Sequence, residues 1–333
     1  LVTPQSGDTA MSIDFYRALE DQFRESREII KKRLQVYQPF ISVVKSLYPQ
    51  GPALDLGCGR GEWLEVLKDN GITAYGVDLD DGMLEACRKL GLEVETVNAI
   101  DYLQKLPNDS QAIVSGFHLA EHLKSDDLHT LIKEALRVLK PAGLLILETP
   151  NAENITVATT NFYLDPTHDH PIPSKLLRFL TEFHGFARGK VLGLQESPEV
   201  KLKQFPSLYQ IFNDASPDYA VIAQKTGNAA DLAQFDDLFN QVFGLSLHEL
   251  ANRYDSRIDT LDQRQTASEI NIQRFNTNLQ EFNKTLQEFN KTVQDFEQKL
   301  LVVEDKTLLL EQRMAKILKI LAPFKWLKRQ ISK

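Results

Sequence analysis

Cysteine is nearly absent from this 333-residue chain: only Cys58 and Cys87 occur. Two thiols build no disulfide framework, so the expected compartment is the cytoplasm. There is no run of 18 or more apolar residues, and the opening residues do not read as a signal peptide. Positive charge is in deficit. Lys and Arg number 38 against 46 Asp and Glu, a formal net charge of −8, which argues against a general nucleic-acid binder. Glycine and proline vanish from one long stretch, between Gly244 and Pro323, so no helix breaker interrupts it. The chain begins with Leu1 rather than Met, as a piece of a longer protein would.

Where glycine does concentrate, it marks the centre of the chain. Leu54-Asp55-Leu56-Gly57-Cys58-Gly59-Arg60-Gly61-Glu62-Trp63 reads as strand, tight turn and helix, with Trp63, Val66 and Leu67 continuing a helical period. Glycine lets the backbone turn sharply and lets a ligand lie against bare peptide. The new helix offers free N–H groups and a positive dipole end. A dinucleotide fingerprint needs G-x-G-x-x-G. Here the third glycine comes one residue early and Glu62 holds the place of the last. A carboxylate where a pyrophosphate would sit disfavours NAD. Asp78 ends the next apolar run, about 20 residues past the first glycine, where an acid accepts ribose hydroxyls; a helix-capping Asp is the plainer reading.

The pattern Asp-x-Gly-x-Gly-x-Gly resembles motif I of the class I S-adenosylmethionine (SAM) methyltransferases. SAM carries no phosphate and two positive groups, so an acid-rich turn suits it. The resemblance implies a Rossmann-like α/β fold over residues 51–226, with strands at 53–56, 73–77, 94–97, 112–117 and 144–148 and an antiparallel hairpin of 190–195 with 219–224. It implies a SAM site made of Asp55, Gly57, Cys58, Gly59, Gly61 and Leu79, with Asp78 at the ribose. Asn98, Ala99 and Ile100 fall at the adenine, and Gly116 and Phe117 beside the methionine part. Family members often have Asp where Asn98 stands; Asp101 is expected to cap the following helix.

Two further stretches carry candidate chemistry. His118-Leu119-Ala120-Glu121-His122-Leu123 follows the fourth strand. There His122 is either a general base, since imidazole titrates near neutrality, or a structural histidine paired with Glu121. The loop from Thr159 to Pro173 packs His168, His170, Asp165 and Asp169 among prolines at a strand's carboxyl edge, where substrate groups bind. It reads as a substrate lid containing Tyr163, Asp165 and His168, with His168 as second candidate base, or as a proline-stiffened loop. The two histidines with Asp165 or Asp169 could bind a metal, but the family chemistry needs none. Ahead of the domain, residues 1–50 form a helical extension, polar and disordered over 1–10 and broken or kinked near Pro39. Its charges, including Arg17, Arg24 and Arg27, are either a solvated face or, with Tyr16, the arm of a lid reaching an anionic substrate.

After residue 226 the composition changes. Residues 229–243 read as a helix within a connector spanning 227–257. From Ile258 to Leu321 a three-and-four register of apolar residues holds without a slip, with polar Gln265, Ser268 and Thr307 in the slots where an apolar residue is missing, which means a coiled coil over 258–322. Phe275, Phe282, Phe289 and Phe296 occur every seventh residue; their bulk favours three chains, and a parallel homotrimer is expected. Pro323 is expected to end or kink the helix. Residues 313–333 carry only basic charges among large apolar residues, suiting an anionic membrane surface.

The helix Phe15–Arg24, the core Asp-Leu-Gly-Cys-Gly-Arg-Gly-Glu-Trp-Leu-Glu, the run Gly-Val-Asp-Leu-Asp-Asp-Gly-Met-Leu and the loop Phe-Tyr-Leu-Asp-Pro-Thr-His look like methyltransferase modules of bacterial surface-polysaccharide (O-antigen) clusters. That resemblance implies methylation of the glycan's non-reducing end as a chain terminator. The coiled coil would act as spacer and the basic end would sit at the inner face of the cytoplasmic membrane, near a glycosyltransferase partner. A sugar hydroxyl is the expected acceptor, ahead of a terminal phosphate. The other readings are a scaffold recruiting a glycosyltransferase, an NAD-dependent oxidoreductase, and a methyltransferase for a small molecule such as a quinone.

Overall fold

A computed structural model of the chain describes residues 25–331, with side chains as far as residue 321. It divides into two units, Leu1–Arg257 and Ile258–Lys333. The first is built on a seven-stranded sheet: β1 (Ala53–Leu56), β2 (Ala74–Asp78), β3 (Glu93–Thr96), β4 (Gln111–Phe117), β5 (Leu139–Pro150), β6 (Arg188–Leu194) and β7 (Asp218–Gln224). Their order is β3-β2-β1-β4-β5-β7-β6. The first five are parallel, and β7 lies antiparallel between β5 and β6. The order reverses between β1 and β4, and that switch point opens a crevice at the strands' carboxyl ends.

Alternation along the strands divides the core into two layers. Leu54, Leu56, Leu145 and Leu147 pack on one face with Leu131, Ala135 and Leu177. Ala53, Ile113, Leu144 and Ile146 pack on the other with Tyr37, Phe40, Val44 and Trp63. The second layer draws on the N-terminal helices α1 (Arg27–Leu34) and α2 (Gln38–Leu47), joined by a 3-10 turn at Gln35–Tyr37. The chain breaks there so that Tyr37 and Phe40 can both be fully buried. Pro39 falls in the first turn of α2, where a missing N–H costs nothing.

The crossover helices α3 (Glu62–Asp69), α4 (Asp81–Lys89), α5 (Ala99–Lys105) and α6 (Ser125–Val138) follow β1 to β4 in turn. Asn98, not Asp101, caps α5: its Oδ1 accepts from Ile100 N and Asp101 N at 2.9 and 3.2 Å. An Asx side chain caps from the residue before the first turn, and Asp101 lies inside that turn. β5 begins at Leu139, ahead of the expected strand 144–148, and the irregular pairing between Gln111 and Ile113 absorbs the added residues. Beyond β5 come α7 (Ile155–Thr159), a 3-10 turn at Asn161–Leu164 and α8 (Ser174–Phe183). Two short helices not foreseen above, α9 (Pro198–Leu202) and α10 (Leu208–Asp214), then lie between β6 and β7.

The connector is not one helix over 229–243 but two, α11 (Ala229–Ala233) and α12 (Asp236–Asn240). The chain turns between them to bury Phe235 completely against the second core layer. A last helix, α13 (Leu247–Ile331), begins in the first unit, where Leu250 packs with Val200 and Ile211. Position 323 does not end it. A proline removes one backbone bond, and the turns on either side keep theirs.

In the second unit the heptad positions stand open on the single chain: Phe275, Phe282, Phe289 and Phe296 are 62–68% exposed. Residues 322–333, with most of the basic end, lie outside the described side chains. Among the described residues no helix is long and apolar enough to cross a membrane.

Candidate active site

The crevice at the switch point deepens into a cavity of about 800 Å³, within the range of about 300–1,000 Å³ usual for small-molecule sites. Gly57, Gly59 and Gly61 all have positive φ (65°, 50° and 79°), the reason glycine recurs here. Gly59 N donates to Asp78 Oδ2 at 2.8 Å, and Asp80 N to Asp78 Oδ1 at 2.8 Å. These bonds set the carboxylate of Asp78 at the cavity wall, beside Leu79, whose side chain is 70% exposed.

Of the residues read as a cofactor site, Asp55, Gly57, Cys58, Gly59, Asp78, Leu79, Asn98, Ala99, Ile100 and Phe117 line the cavity. Gly61 and Gly116 do not. A Cβ on Gly61 would stand 2.8 Å from Cys87 Sγ and Leu92 Cδ1, and one on Gly116 3.3 Å from Leu119 and Leu147. Both glycines serve close packing. Asp55 lies at the floor, 2% exposed, with Ser115 Oγ donating to Oδ1 at 2.8 Å. Burial pushes its carboxyl up to about 8.

The substrate-side readings divide. Tyr16, Arg17 and Arg24 lie outside the described residues. Arg27 is committed elsewhere: it pairs with Glu65 and Glu62 and donates to Arg60 O at 2.8 Å. Tyr163 is 64% exposed and not part of the lining, whereas Asp165, His168 and His122 are. His170 pairs with its neighbour Asp169 at 2.7 Å and stays outside the cavity. The loop donors thus do not converge as a metal set. Two other sets do approach within 4.8 Å: Glu121–His122–His168 and His118–Glu148–Asp218.

Glu121 does not pair with His122. One of its oxygens faces His118 Nδ1 at 3.2 Å and the other accepts from Thr149 Oγ1 at 2.9 Å. His118 was not singled out in the sequence, nor were Glu148 and Asp218. His118 follows β4 at φ 52°, a strained position of the kind that collects at functional sites. Its Nε2 lies 3.8 Å from Glu148 and 3.9 Å from Asp218. Burial works against its charge, but Glu121, Asp218 and Glu148 outweigh it and raise His118 to about 10. At neutral pH His118 is therefore a cation and no base.

Glu148 is buried, raised to about 7 by that burial, and accepts from Tyr37 and from Gln195 Nε2 at 3.2 Å. His122 differs from His118. Burial lowers its pKa, with His168 acting the same way and Glu121 opposing, so it is neutral at pH 7. The signal for His118, Glu148 and Asp218 was positional: each lies where a central strand meets the carboxyl edge.

The chemistry of the lining selects the ligand. Among the described residues it holds eight carboxylate side chains and one arginine, Arg33, which pairs with Glu25 at 2.5 Å. An acidic cavity suits a cationic cofactor and disfavours pyrophosphate. SAM, with two positive groups and no phosphate, fits this lining.

Comparison with known proteins agrees. A family model described as a methyltransferase domain matches residues 26–187. A SAM-dependent methyltransferase structure from Archaeoglobus fulgidus is 32% identical, with a TM-score of 0.56, over 63% of this chain and all of that one. A probable S-adenosylmethionine-dependent methyltransferase of Mycolicibacterium smegmatis is 28% identical over 141 residues, 42% of this chain and 54% of its own length. The chain thus spans about half of that relative. A ubiquinone biosynthesis O-methyltransferase of Vibrio vulnificus is 25% identical over 225 residues, 62% of this chain and 89% of its own. With the strand order, the acid-rich glycine turn and the full-length match to a solved methyltransferase in agreement, the chain belongs to the SAM-dependent methyltransferases.

Proposed function

We propose that this enzyme methylates a hydroxyl at the non-reducing end of a bacterial surface polysaccharide and so terminates chain growth. The observation that carries the choice of acceptor is the charge of the cavity. Eight carboxyl side chains line it among the described residues, Asp55 alone of them held well into the protonated range, against two cations that already have carboxylate neighbours, Arg33 beside Glu25 and His118 beside Glu148 and Asp218. The balance is acidic, and a phosphate acceptor would meet repulsion there. A neutral sugar hydroxyl meets none.

SAM, when bound, supplies an activated methyl group on a cationic sulfur. The protein's part is to hold the acceptor oxygen in line with that methyl and to take the hydroxyl proton. As the new C–O bond forms and the S–C bond breaks, the proton passes to a base. His122 is neutral at pH 7 and is the first choice; His168 is the second. His168 Nδ1 is tied to Phe162 O at 2.6 Å, which leaves its Nε2 as acceptor.

The exposed heptad stripe of the second unit supports self-association. Burying each Phe contributes about 1.5–3 kcal/mol, and a parallel trimer with a basic end on an anionic membrane would place three catalytic domains near growing glycan. A second reading, methyl transfer to a small phenolic molecule, is favoured by the similarity to ubiquinone biosynthesis O-methyltransferases. Labelled SAM incubated with purified surface polysaccharide, or a synthetic oligosaccharide, separates the two. Transfer to glycan that is lost in Asp78→Ala supports the first. Transfer only to small phenols overturns it.

A further inference from the structure

We propose that Thr167 and Asp165 form a hydroxyl-bridged relay that orients His122 as the base of the methyl-transfer reaction. The proposal rests on the hydroxyl acceptor argued above and assigns roles within that same site.

Proton counting carries it. Thr167 Oγ1 lies 3.0 Å from His122 Nδ1 and 2.6 Å from Asp165 Oδ1. The threonine hydroxyl has one proton, and an ionised carboxylate has none. The proton of Thr167 therefore goes to Asp165, and the contact with His122 requires Nδ1–H to donate to Thr167 Oγ1. That arrangement fixes the tautomer. Nδ1 of His122 carries the proton, and Nε2 keeps a lone pair on a ring that lines the cavity. This is the form a base needs. Asp165 is held in turn, because its Oδ1 also accepts from Thr167 N at 2.8 Å. When Nε2 takes the acceptor's proton, the imidazolium keeps its Nδ1–H bond to Thr167, and the carboxylate two residues away stabilises the charge.

The loop is docked where this needs it. Asp169 N donates to Glu121 O at 2.7 Å. The His168 ring packs edge-on against His122 at 4.7 Å, backed by Phe162 at 4.5 Å. The charged and titratable groups around His122 are Glu121 on its own turn, and Asp165 and His168 on the loop. Glu121 is already occupied by His118 and Thr149, so the orienting partner comes from 45 residues away. Thr167 and Asp165 are positioning residues; neither needs to touch the acceptor.

Thr167→Val and Thr167→Ser in the full chain test the relay. In Thr167→Val, kcat should fall about tenfold or more, short of the 10²–10⁴ that loss of the base itself would cost. KM for SAM should be unchanged, and the acid limb of the kcat–pH profile should move to lower pH, because the imidazolium has lost its acceptor. Thr167→Ser should restore both rate and profile. Wild-type kcat and profile in Thr167→Val, or equal losses in both variants, would overturn the relay. A second measurement needs no turnover. The ¹⁵N shifts of labelled histidine, assigned to His122 through His122→Asn, should show Nδ1 protonated and Nε2 bare in the wild type at pH 7. They should show a mixture in Thr167→Val. A wild-type His122 with its proton on Nε2 refutes the relay. A wild type with the expected tautomer but no transfer to any hydroxyl would instead sink the acceptor assignment.

Discussion

Replacing Asp55 by Asn should make the free protein more stable as pH rises, while weakening its hold on SAM. Asp55 is 2% exposed, and burial pushes its carboxyl from an ordinary 3.8 up to about 8. Ser115 opposes the rise, and the nearby charge of Asp78 adds to it. A folded-state value above the unfolded one fixes the sign. The stability this group allows is complete below its unfolded value and is lost as pH climbs toward its folded one. Each unit is worth about 1.4 kcal/mol. Between pH 5 and pH 8 the wild type therefore gives up roughly 4 kcal/mol through this one side chain.

Asn keeps the shape and still accepts the Ser115 hydroxyl, but has no charge to bury. Urea unfolding of both proteins at pH 5 and pH 8, without SAM, should show their difference shifting by about 4 kcal/mol in favour of the variant. Calorimetry should show the variant binding SAM more weakly, since an uncharged amide no longer pairs with an ammonium. In the wild type, SAM binding at pH 7 should release a proton that the variant does not. A stability difference that stays constant between pH 5 and pH 8 would refute the claim that Asp55 holds a proton in the free enzyme.

Three further outcomes follow from the geometry. Gly61→Ala should cost about 1–3 kcal/mol in urea unfolding, because a Cβ at φ 79° would stand 2.8 Å from both Cys87 Sγ and Leu92 Cδ1; an unchanged midpoint would contradict it. Glu121→Gln should bring the His118 titration down from about 10, since it removes the carboxylate bonded to Nδ1. NMR titration reads this directly, and an unmoved His118 would show that Asp218 and Glu148 suffice. Phe282→Ser combined with Phe289→Ser should convert a trimer into smaller species by light scattering, each Phe withdrawing about 1.5–3 kcal/mol of burial; a monomeric wild type would end the coiled-coil reading.

Much of the scaffold was legible in local chemistry. The strands over 53–56 and 112–117, the glycine turn and the helix after it follow from period-two and 3.6-residue patterns and from positive-φ glycines, which depend on neighbours in sequence. One displaced glycine and Glu62 disfavoured NAD, because charge at a helix start is also a local property, and the SAM class came from the resemblance of the same turn to a methyltransferase motif. The heptads of the second unit are a local pattern too, whereas association between chains is not a local property.

What depended on distant residues meeting was hidden. Glu121 and His122 stand side by side in sequence, yet Glu121 bonds His118 and Thr149, while His122 bonds Thr167 of a remote loop. His118 and Glu148 sit in patterns that look like ordinary strand ends. Only β5 and β7, brought side by side, turn them and Asp218 into one charged cluster. The protonation of Asp55, Glu148 and His118 was likewise beyond local reading. A pKa is set by burial and by the charges that folding brings near, and neither exists until the sheet has closed over its helices.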